Sequence, residues 1–398
     1  MARTQTALYR ELDDDLQLSW SEAELPERER TKHVHRLHPY LGKFVPQLVE
    51  ALLGRYVRPG GRVLDPFAGS GTTLVQALES GYDAVGADVA AFNCLLMQVK
   101  TARYDAFRLE KDLREADSRR GHSRSSARGY LADWYAARAA AELLHFRGLL
   151  GDYEHADVLR VVLARAARSA RLTTHFDLEF PRVPQRDPYW CYKHRRTCRP
   201  VEEADKFLGR YLLDTLDRLK EFQRVRAKGR AAEILHGDAR DVSFEGDFDA
   251  ILTSPPYPGL IDYHEQHRYA YELLALDDRR ERELGAAARG ASRAAIADYV
   301  TGISQVLRRC AEALTPGAPV IVVVNDRRGL YPDILERSGL RLEDRLERHV
   351  NRRTGRRAGE YFESVLIATT SSRKGRVRTV GGRKGSAEPR GSLACKRP

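Results

Sequence analysis

The sequence predicts an α/β protein: a Rossmann-like, doubly wound parallel sheet that carries an inserted, mainly helical subdomain. A buried strand, a glycine-bearing turn, a helix and a second strand follow one another over residues 62–88, and this order opens a doubly wound sheet. Strand-like segments return after residue 229. In between, the alternation of strand and helix lapses and the apolar residues take helical spacing. The insert is therefore expected between the second and third strands.

The strands of the sheet are predicted from short apolar runs and the turn residues around them. Residues 62–67 and 83–88 form the first two strands, joined by a turn over 68–72 and a helix through Leu74, Val75 and Leu78. The further predicted strands are residues 233–235, 248–253, 319–325 and 363–369. A helix over residues 299–314 ends at Thr-Pro-Gly, a stop signal before the predicted strand 319–325.

The insert and the tail set the domain organisation. Helical apolar spacing occupies residues 134–150, 157–172 and 204–227, whereas residues 182–200 have no regular pattern. We therefore divide the chain into an N-terminal part of the sheet domain (1–100), a helical insert that is the candidate recognition region (101–228), a C-terminal part of the sheet domain (229–370) and a basic tail (371–398).

Charge is concentrated at the end of the chain. The formal net charge is +11, and residues 371–398 hold nine Lys or Arg residues against one acid. The tail is rich in Gly and Ser and lacks an apolar period, which predicts disorder and nonspecific phosphate binding or a purely solubilising role. Basic charge alone therefore does not establish a nucleic-acid substrate.

Apolar run length, the N-terminal segment and the cysteines predict the cellular compartment and whether the chain spans a membrane. No apolar run approaches the length of a membrane span, and no signal-peptide pattern occurs near residue 1. The five cysteines are scattered and odd in number, which predicts free thiols. We expect a cytoplasmic protein with no membrane partner.

The glycine turn predicts the type of ligand. A third glycine of the dinucleotide fingerprint would fall at Leu74, and the lysine of a phosphate-binding loop is absent. Asp65, where the first strand ends, could meet a cationic amino group, and Asp88, where the second ends, could accept hydrogen bonds from ribose hydroxyls. An amine-bearing nucleoside fits both acids.

The whole string Asp-Pro-Phe-Ala-Gly-Ser-Gly-Thr-Thr at residues 65–73 resembles the S-adenosylmethionine-binding motif of bacterial amino-methylating DNA methyltransferases. The segment His-Pro-Tyr-Leu-Gly-Lys-Phe-Val-Pro-Gln at 38–47 resembles the segment that precedes this motif in the family and closes over the methionine end of the cofactor. The resemblance implies a class I methyltransferase sheet with S-adenosylmethionine as cofactor. It makes these residues cofactor-binding candidates: His38, Lys43, Phe44, Asp65, Phe67, Gly69, Gly71, Thr72, Asp88 and Asp238.

The string Thr-Ser-Pro-Pro-Tyr at residues 253–257 follows a predicted strand and is the candidate catalytic motif. Adjacent prolines fix φ and remove backbone donors, so the carbonyls before them can accept from a ligand. The Ser254 hydroxyl and a backbone carbonyl would accept both N–H bonds of an exocyclic amine and favour a pyramidal, nucleophilic nitrogen. Tyr257 offers a face on which an extracted base can stack. The catalytic candidates are Ser254, Pro255, Pro256 and Tyr257.

This motif is similar to that of N4-cytosine methyltransferases, whereas adenine enzymes usually carry Asp at the position of Ser254. Some relatives with Ser methylate adenine, so cytosine is favoured by one residue. The alternatives left open are an N6-adenine DNA methyltransferase, an RNA methyltransferase acting on guanine N2, and a noncatalytic DNA-binding protein. The predicted partner is double-stranded DNA, and the resemblance implies a restriction-modification role that a cognate restriction endonuclease would complete.

Basic and aromatic residues alternate over residues 182–199. Such a segment either contacts DNA or packs its aromatic rings on the insert. A second basic run at 351–357 could line the DNA channel or form a charged hairpin tip. Cys191, His194 and Cys198 lack an evident fourth ligand and have irregular spacing, so we predict no metal. The candidate DNA-binding residues are Arg186, Tyr189, Trp190, Lys193, Arg195 and Arg196.

Overall fold

A computed structural model describes residues 16, 18–21, 23–42, 45–124, 126–175, 181–350 and 362–370. Its centre is a seven-stranded sheet with the order β5-β2-β1-β6-β7-β9-β8, and a separate hairpin pairs β3 with β4. The strands are β1 (Arg62–Asp65), β2 (Asp83–Asp88), β3 (Tyr189–Cys191), β4 (Arg196–Cys198), β5 (Ala232–His236), β6 (Ala250–Thr253), β7 (Val320–Val324), β8 (Leu340–His349) and β9 (Phe362–Thr370).

The strand order creates the crevice that a ligand needs. The strands β5, β2, β1, β6 and β7 run parallel, and β9 pairs antiparallel with both β7 and β8. The chain winds from β1 outward through β2 and β5, and then begins again at β6 on the other side of β1. Ligands of doubly wound sheets bind at such a switch point, outside the carboxyl ends of the strands. The predicted α/β, Rossmann-like doubly wound fold is confirmed.

Helices cover both faces of the sheet and build the insert. They are α1 (Glu27–Arg30), α2 (Pro46–Tyr56), α3 (Thr72–Ser80), α4 (Ala91–Thr101), α5 (Ala106–Ser118), α6 (Tyr130–Trp134), α7 (Ala137–Leu149), α8 (Ala156–Ala170), α9 (Asp205–Val225), α10 (Tyr263–Gln266), α11 (Arg268–Leu274), α12 (Arg293–Glu312) and α13 (Tyr331–Arg337). Short 3-10 turns lie at His33–Arg36, Leu150–Asp152, Arg280–Arg282 and Ala287–Arg289.

Side chains on alternate sheet positions separate two apolar layers, as the pleat of a strand requires. On one face Leu64 and Ile251 join a cluster with α12 and α13. On the other, Val63 and Leu252 join a cluster with α2 and α3. Both faces of β1 and β6 are thus buried, which fixes where their carboxyl ends lie.

The insert packs on the outer side of α3 and α4. One apolar cluster combines residues of these two helices with α5, α7, α8, α9 and α11. Its position between β2 and β5 is the one predicted. The predicted helix over 134–150 is α7, which begins at Ala137 because Tyr135 and Ala136 are extended and separate it from α6. The helix α5 was not predicted, since only Leu109, Leu113 and Ala116 of its 13 residues are buried.

Two further strand features differ from the prediction. The edge strand β8 was missed because five consecutive residues of its ten are exposed and most are charged, as suits an edge. Residues 182–200 were predicted to be irregular, yet they contain the hairpin β3-β4, whose strands have three residues each. The basic run at 351–357 and the tail at 371–398 lie outside the described residues.

The described residues also bear on the cysteine and membrane predictions. Cys94, Cys191, Cys198 and Cys310 are free thiols, as predicted. Within the described ranges, none of the helices combines the length and hydropathy that a bilayer span requires.

Candidate cofactor cleft and catalytic motif

The turn after β1 depends on two glycines with left-handed backbone. Gly69 has φ +52° and Gly71 has φ +79°, conformations that cost little only for glycine. The Gly69 N–H donates to Asp88 Oδ2 at 2.9 Å, which ties the turn to the end of β2. A Cβ atom on Gly71 would lie 2.8 Å from Met97 Cγ. Gly71 is therefore a packing residue at the start of α3.

Asp65 ends β1 and is 2% exposed. Its Oδ1 accepts from the Thr253 hydroxyl at 2.6 Å and from the Phe67 N–H at 3.1 Å, and its Oδ2 accepts from the Thr73 hydroxyl at 2.6 Å. Burial raises the pKa of Asp65 to about 6 although these three bonds oppose the shift. A carboxylate with such a pKa gains from a nearby cation.

Asp88 ends β2 and holds the next turn in place. Besides the Gly69 bond, its Oδ1 accepts from the Ala90 N–H at 2.8 Å and from the Asn93 side-chain amide at 3.1 Å. Burial raises the pKa of Asp88 to about 6. Two acidic groups that are costly to ionise thus stand at the carboxyl ends of adjacent strands.

These residues line one open cleft at the carboxyl edge of the sheet. The cleft brings together candidates from segments that are far apart in the sequence. The predicted site residues that line it are Asp65, Phe67, Gly69, Thr72, Asp88, Asp238, Ser254 and Pro256.

Two buried polar atoms of the cleft indicate which kind of ligand it fits. Ser70 Oγ and Asn93 Oδ1 are buried and have no hydrogen-bond partner in the described part of the chain, and both residues line the cleft. Buried polar groups are normally paired. A ligand with amine and hydroxyl groups would satisfy them, and the acidic lining suits a cation. The residues present therefore fit an amine-bearing nucleoside such as S-adenosylmethionine.

Asp238 lines the cleft, but its carboxylate already has partners. The Arg240 guanidinium lies 2.5 Å and the Arg282 guanidinium 3.1 Å from its Oδ2. Burial pushes the pKa of Asp238 upward, yet the hydrogen bonds and charge of Arg240, with help from Arg282, hold it below its usual value. A ligand that contacts Asp238 would therefore meet an ion pair.

The candidate catalytic motif begins where β6 ends at Thr253. Ser254 and Pro256 line the cleft, so the motif faces the glycine turn. The hydroxyl of Tyr257 donates to Glu363 Oε1 at 3.1 Å, which connects the motif to β9. Pro255 and Tyr257 do not line the cleft.

Several residues of the cleft escaped the sequence analysis: Tyr40, Asn93, Tyr263, Arg282 and Glu283. The rings of Tyr40 and Tyr263 stack with centroids 5.4 Å apart and planes 14° from parallel. Glu283 accepts from the Tyr263 N–H at 2.9 Å and pairs with a buried histidine, His264. Tyr40 lies inside the quoted segment at 38–47 and Tyr263 lies shortly after the quoted string at 253–257, and that proximity was the available signal.

His38 does not line the cleft. It is fully buried, with Nδ1 2.7 Å from the Pro39 carbonyl oxygen and Nε2 3.0 Å from the Tyr269 hydroxyl. Burial holds the pKa of His38 well below its usual value. Its neutral ring is therefore a packing element beside Phe92 and His267. Lys43 and Phe44 lie outside the described residues.

The hairpin carries five of the six predicted DNA-binding residues, and the sixth, Arg186, precedes it. Trp190 is 56% exposed, Lys193, Arg195 and Arg196 are also exposed, and the described residues offer these three cations no ion pair. Arg186 is exposed as well, although it donates to the Asp133 carbonyl oxygen at 2.8 Å. Tyr189 is half-buried, and its hydroxyl lies 2.8 Å from His175 Nδ1.

Sequence comparison finds relatives of one type. The family model for N6 and N4 DNA methylases, described as DNA methylase, matches residues 3–98. The type II methyltransferase M.MjaII of Methanocaldococcus jannaschii is 36% identical over 431 aligned positions, which cover 86% of this chain and 81% of that protein. The type II methyltransferase M.BsoBI of Geobacillus stearothermophilus is 22% identical, covering 64% of this chain and 55% of its own.

Structural comparison returns methyltransferases at low similarity. TrmN from Thermus thermophilus has a TM-score of 0.34 at 14% identity, covering 83% of this chain and 50% of its own. The rRNA methyltransferase AviRa from Streptomyces viridochromogenes has a TM-score of 0.35 at 13% identity, covering 83% of this chain and 88% of its own.

Proposed function

The chain belongs to the amino-methylating DNA methyltransferases, which use S-adenosylmethionine, and from this premise we propose that it methylates the N4 amine of cytosine in double-stranded DNA. The observation that carries the proposal is the position of Ser254 in the same cleft as the glycine turn. An amine held by Ser254 would therefore face a cofactor bound over that turn.

The proposed mechanism needs only positioning and hydrogen bonding. The bound cofactor supplies an electrophilic methyl group on a sulfonium. The Ser254 hydroxyl and the Pro255 carbonyl accept hydrogen bonds from the two N–H groups of the amine, which localises the nitrogen lone pair toward the methyl group. Once the N–C bond has formed, the surplus proton of the nitrogen passes to solvent. The acids Asp65 and Asp88 favour a cationic ligand in the cleft. Serine in place of Asp at position 254 supports cytosine over adenine.

Tyr257 receives a stacking role in this proposal. Its ring packs beside an apolar cluster of the sheet, and its hydroxyl is held by Glu363. A tyrosine fixed at both ends presents one ring orientation to an incoming base. An extracted base must unstack from the duplex, and an aromatic surface lowers that cost.

The surface beside the cleft supports a nucleic-acid substrate. A second, open cavity shares Tyr40 with the cofactor cleft, and four arginines line it: Arg36, Arg165, Arg168 and Arg210. Asp214 partly neutralises this cavity through its 2.6 Å ion pair with Arg165. We assign the cavity and the exposed hairpin to contacts with DNA phosphates and bases.

The test combines a point variant with identification of the product. Ser254→Ala should reduce turnover by at least about 100-fold and leave cofactor affinity within about threefold. The control Ser118→Ala, on an exposed helix end, should be fully active. Full activity of Ser254→Ala would contradict the mechanism.

Nucleoside mass spectrometry of methylated duplex DNA should then find N4-methylcytosine. N6-methyladenine would replace the cytosine assignment by the adenine one. Preferential labelling of total RNA over genomic DNA would favour the guanine-N2 alternative, and cofactor binding without transfer to either would indicate a noncatalytic DNA-binding protein.

The biological role is proposed by extension. The relatives M.MjaII and M.BsoBI are named type II methyltransferases, and we propose a protective role beside a cognate restriction endonuclease. A plasmid that this protein has methylated should resist an endonuclease that cuts the same plasmid unmethylated. Sensitivity to every endonuclease whose site overlaps the mapped modification would argue against protection.

A further inference from the structure

We propose that His175, Cys191, His194 and Cys198 form a structural zinc site. This site would tie the hairpin β3-β4 to the segment of the insert that follows α8. The four residues place one potential ligand atom each within 4.8 Å of all the others. Three ligands belong to the hairpin, and the fourth, His175, follows α8. The sequence analysis lacked this fourth ligand because 15 residues separate it from Cys191 along the chain.

The distances between the ligand atoms match a tetrahedron around zinc. Cys191 Sγ lies 3.5 Å from His175 Nδ1 and 3.6 Å from His194 Nδ1, and Cys198 Sγ lies 3.5 Å from His194 Nδ1. Zinc bonds of about 2.3 Å to sulfur and about 2.0 to 2.1 Å to nitrogen predict sulfur to nitrogen edges of about 3.5 to 3.6 Å. The three edges therefore have the length that a bound ion would impose.

The register of the hairpin brings the two thiols together. Tyr189 pairs with Cys198 and Cys191 pairs with Arg196, so both cysteines project from the same face. Both are buried, whereas Tyr192 on the hairpin is 80% exposed. The rings of His175 and His194 lie over this face with centroids 4.5 Å apart. Two thiols and two imidazoles thus converge on one point.

The hairpin needs such a link. Each strand has three residues, and an isolated two-stranded hairpin is marginally stable in water. Trp190 and Tyr192, two of its three large rings, are exposed instead of forming a core. Four protein ligands would leave no open coordination position, which characterises a structural and not a catalytic zinc ion. On binding, the two thiols release their protons to solvent and bind as thiolates.

Tyr189 would adjust when the ion binds. Its hydroxyl lies 2.8 Å from His175 Nδ1 and accepts from the His175 backbone N–H at 3.0 Å. Coordination through Nδ1 removes the first contact and leaves the second. Tyr189→Phe should therefore retain zinc, which separates a ligand role of His175 from a simple histidine to tyrosine hydrogen bond.

Another group of potential ligands, His33, His35 and Glu79, serves as an internal comparison. There Glu79 already pairs with His33 at 3.0 Å and with Lys32 at 2.7 Å. Because the Lys32 ammonium already pairs with Glu79, the one carboxylate of this group, binding of a metal cation there is disfavoured. We therefore expect zinc at the hairpin and not at this group.

The experiment measures metal in the full-length protein. Wild type purified without chelator should hold about one zinc ion per chain by elemental mass spectrometry, and Cys191→Ser with Cys198→Ser should reduce the content at least about tenfold. Cys395→Ser is the matched cysteine control and should leave it unchanged. After exchange into cobalt, wild type should show the visible absorption of a tetrahedral ion with thiolate charge transfer. Metal-free wild type, or zinc that persists in the double variant, would overturn the site.

Retained cofactor binding shows that a variant is folded. If the double variant fails this check, His194→Asn removes an exposed ligand instead and should still lower the zinc content. The role of the ion rests on the proposed DNA contact: loss of zinc should weaken duplex binding at least about tenfold with cofactor affinity unchanged. Zinc loss with undiminished DNA binding would refute that role and leave both the site and the methyl transfer intact.

Discussion

Asp65→Asn should make the protein more stable at neutral pH, although it removes a buried residue of the cofactor motif. The pKa of Asp65 is about 6 in the folded protein against an ordinary value of 3.8. Since the folded value is higher, the carboxyl group stabilises the fold below about pH 4, and this contribution is lost as the pH rises through about 6. The difference corresponds to about 3 kcal/mol of unfolding free energy at pH 7 and above.

Asparagine keeps the shape of the neutral acid and most of its contacts. Its amide oxygen can accept from Thr253 and from the Phe67 N–H, as Oδ1 of Asp65 does. Its NH₂ group can donate to the Thr73 hydroxyl, which reverses one hydrogen bond. The variant should therefore gain about 2 to 3 kcal/mol above pH 7 and nothing near pH 4. For a chain of this length the gain is about 3 °C in melting temperature.

Thermal and urea unfolding at a series of pH values between about 4 and 8 would measure this effect. Asp249→Asn is the control with opposite sign, because Asp249 pairs with Arg58 at 2.6 Å and accepts from the Arg62 N–H at 2.8 Å. It should lose about 1 to 3 kcal/mol at neutral pH. If Asp65→Asn were also less stable there, by an amount independent of pH, the inferred burial cost of Asp65 would be refuted.

Two other predictions concern the turn and its ligand. Gly71→Ala should lower the unfolding free energy by about 2 to 3 kcal/mol, because alanine is strained in the left-handed backbone of this position and its Cβ would crowd Met97. Gly81→Ala, with φ +87° and open space around its Cβ, should lose only about 1 kcal/mol; equal losses in urea unfolding would exclude the crowding. Cofactor affinity should weaken as the pH falls through about 6, because protonation of Asp88 removes negative charge that faces a cationic ligand. In calorimetry, Asp88→Asn should bind the cofactor at every pH as weakly as wild type does at low pH. If its cofactor affinity depended on pH as that of wild type does, a group other than Asp88 would be responsible for the pH dependence.

The sequence predicted those parts of the molecule that local patterns encode. A glycine turn between two apolar strands fixes both its own geometry and the place of Asp65 and Asp88 at strand ends. The edge strand β8 carries too many charged residues for an apolar pattern to show it. The hairpin β3-β4 is too short for any period to emerge over three residues. Such elements are specified by what they pack against, which a single segment does not contain.

The composition of the site was harder to predict than its motifs. His38 has the residue type and the position of a ligand contact, but the side chains around it enclose it completely. Tyr40, two residues later, lines the cleft instead. In the same way, His175 joins Cys191 and the other hairpin ligands only through the path of the chain after α8. Contacts between distant segments decide these roles, and spacing along the sequence does not report them.

One hydrogen bond joins the two halves of the proposed chemistry. The strands β1 and β6 are neighbours in the sheet but lie almost two hundred residues apart in the chain, on either side of the insert. Where they end, the Thr253 hydroxyl donates to Asp65 Oδ1 at 2.6 Å. The residue before Ser254 is therefore fixed to the first residue of the glycine motif. Methyl transfer requires the nucleophile and the methyl group to be held in line. Together with the pairing of β1 and β6, this buried bond therefore holds the cofactor turn and the candidate catalytic motif in a fixed relation, and Asp65, an acid that is costly to bury, forms it.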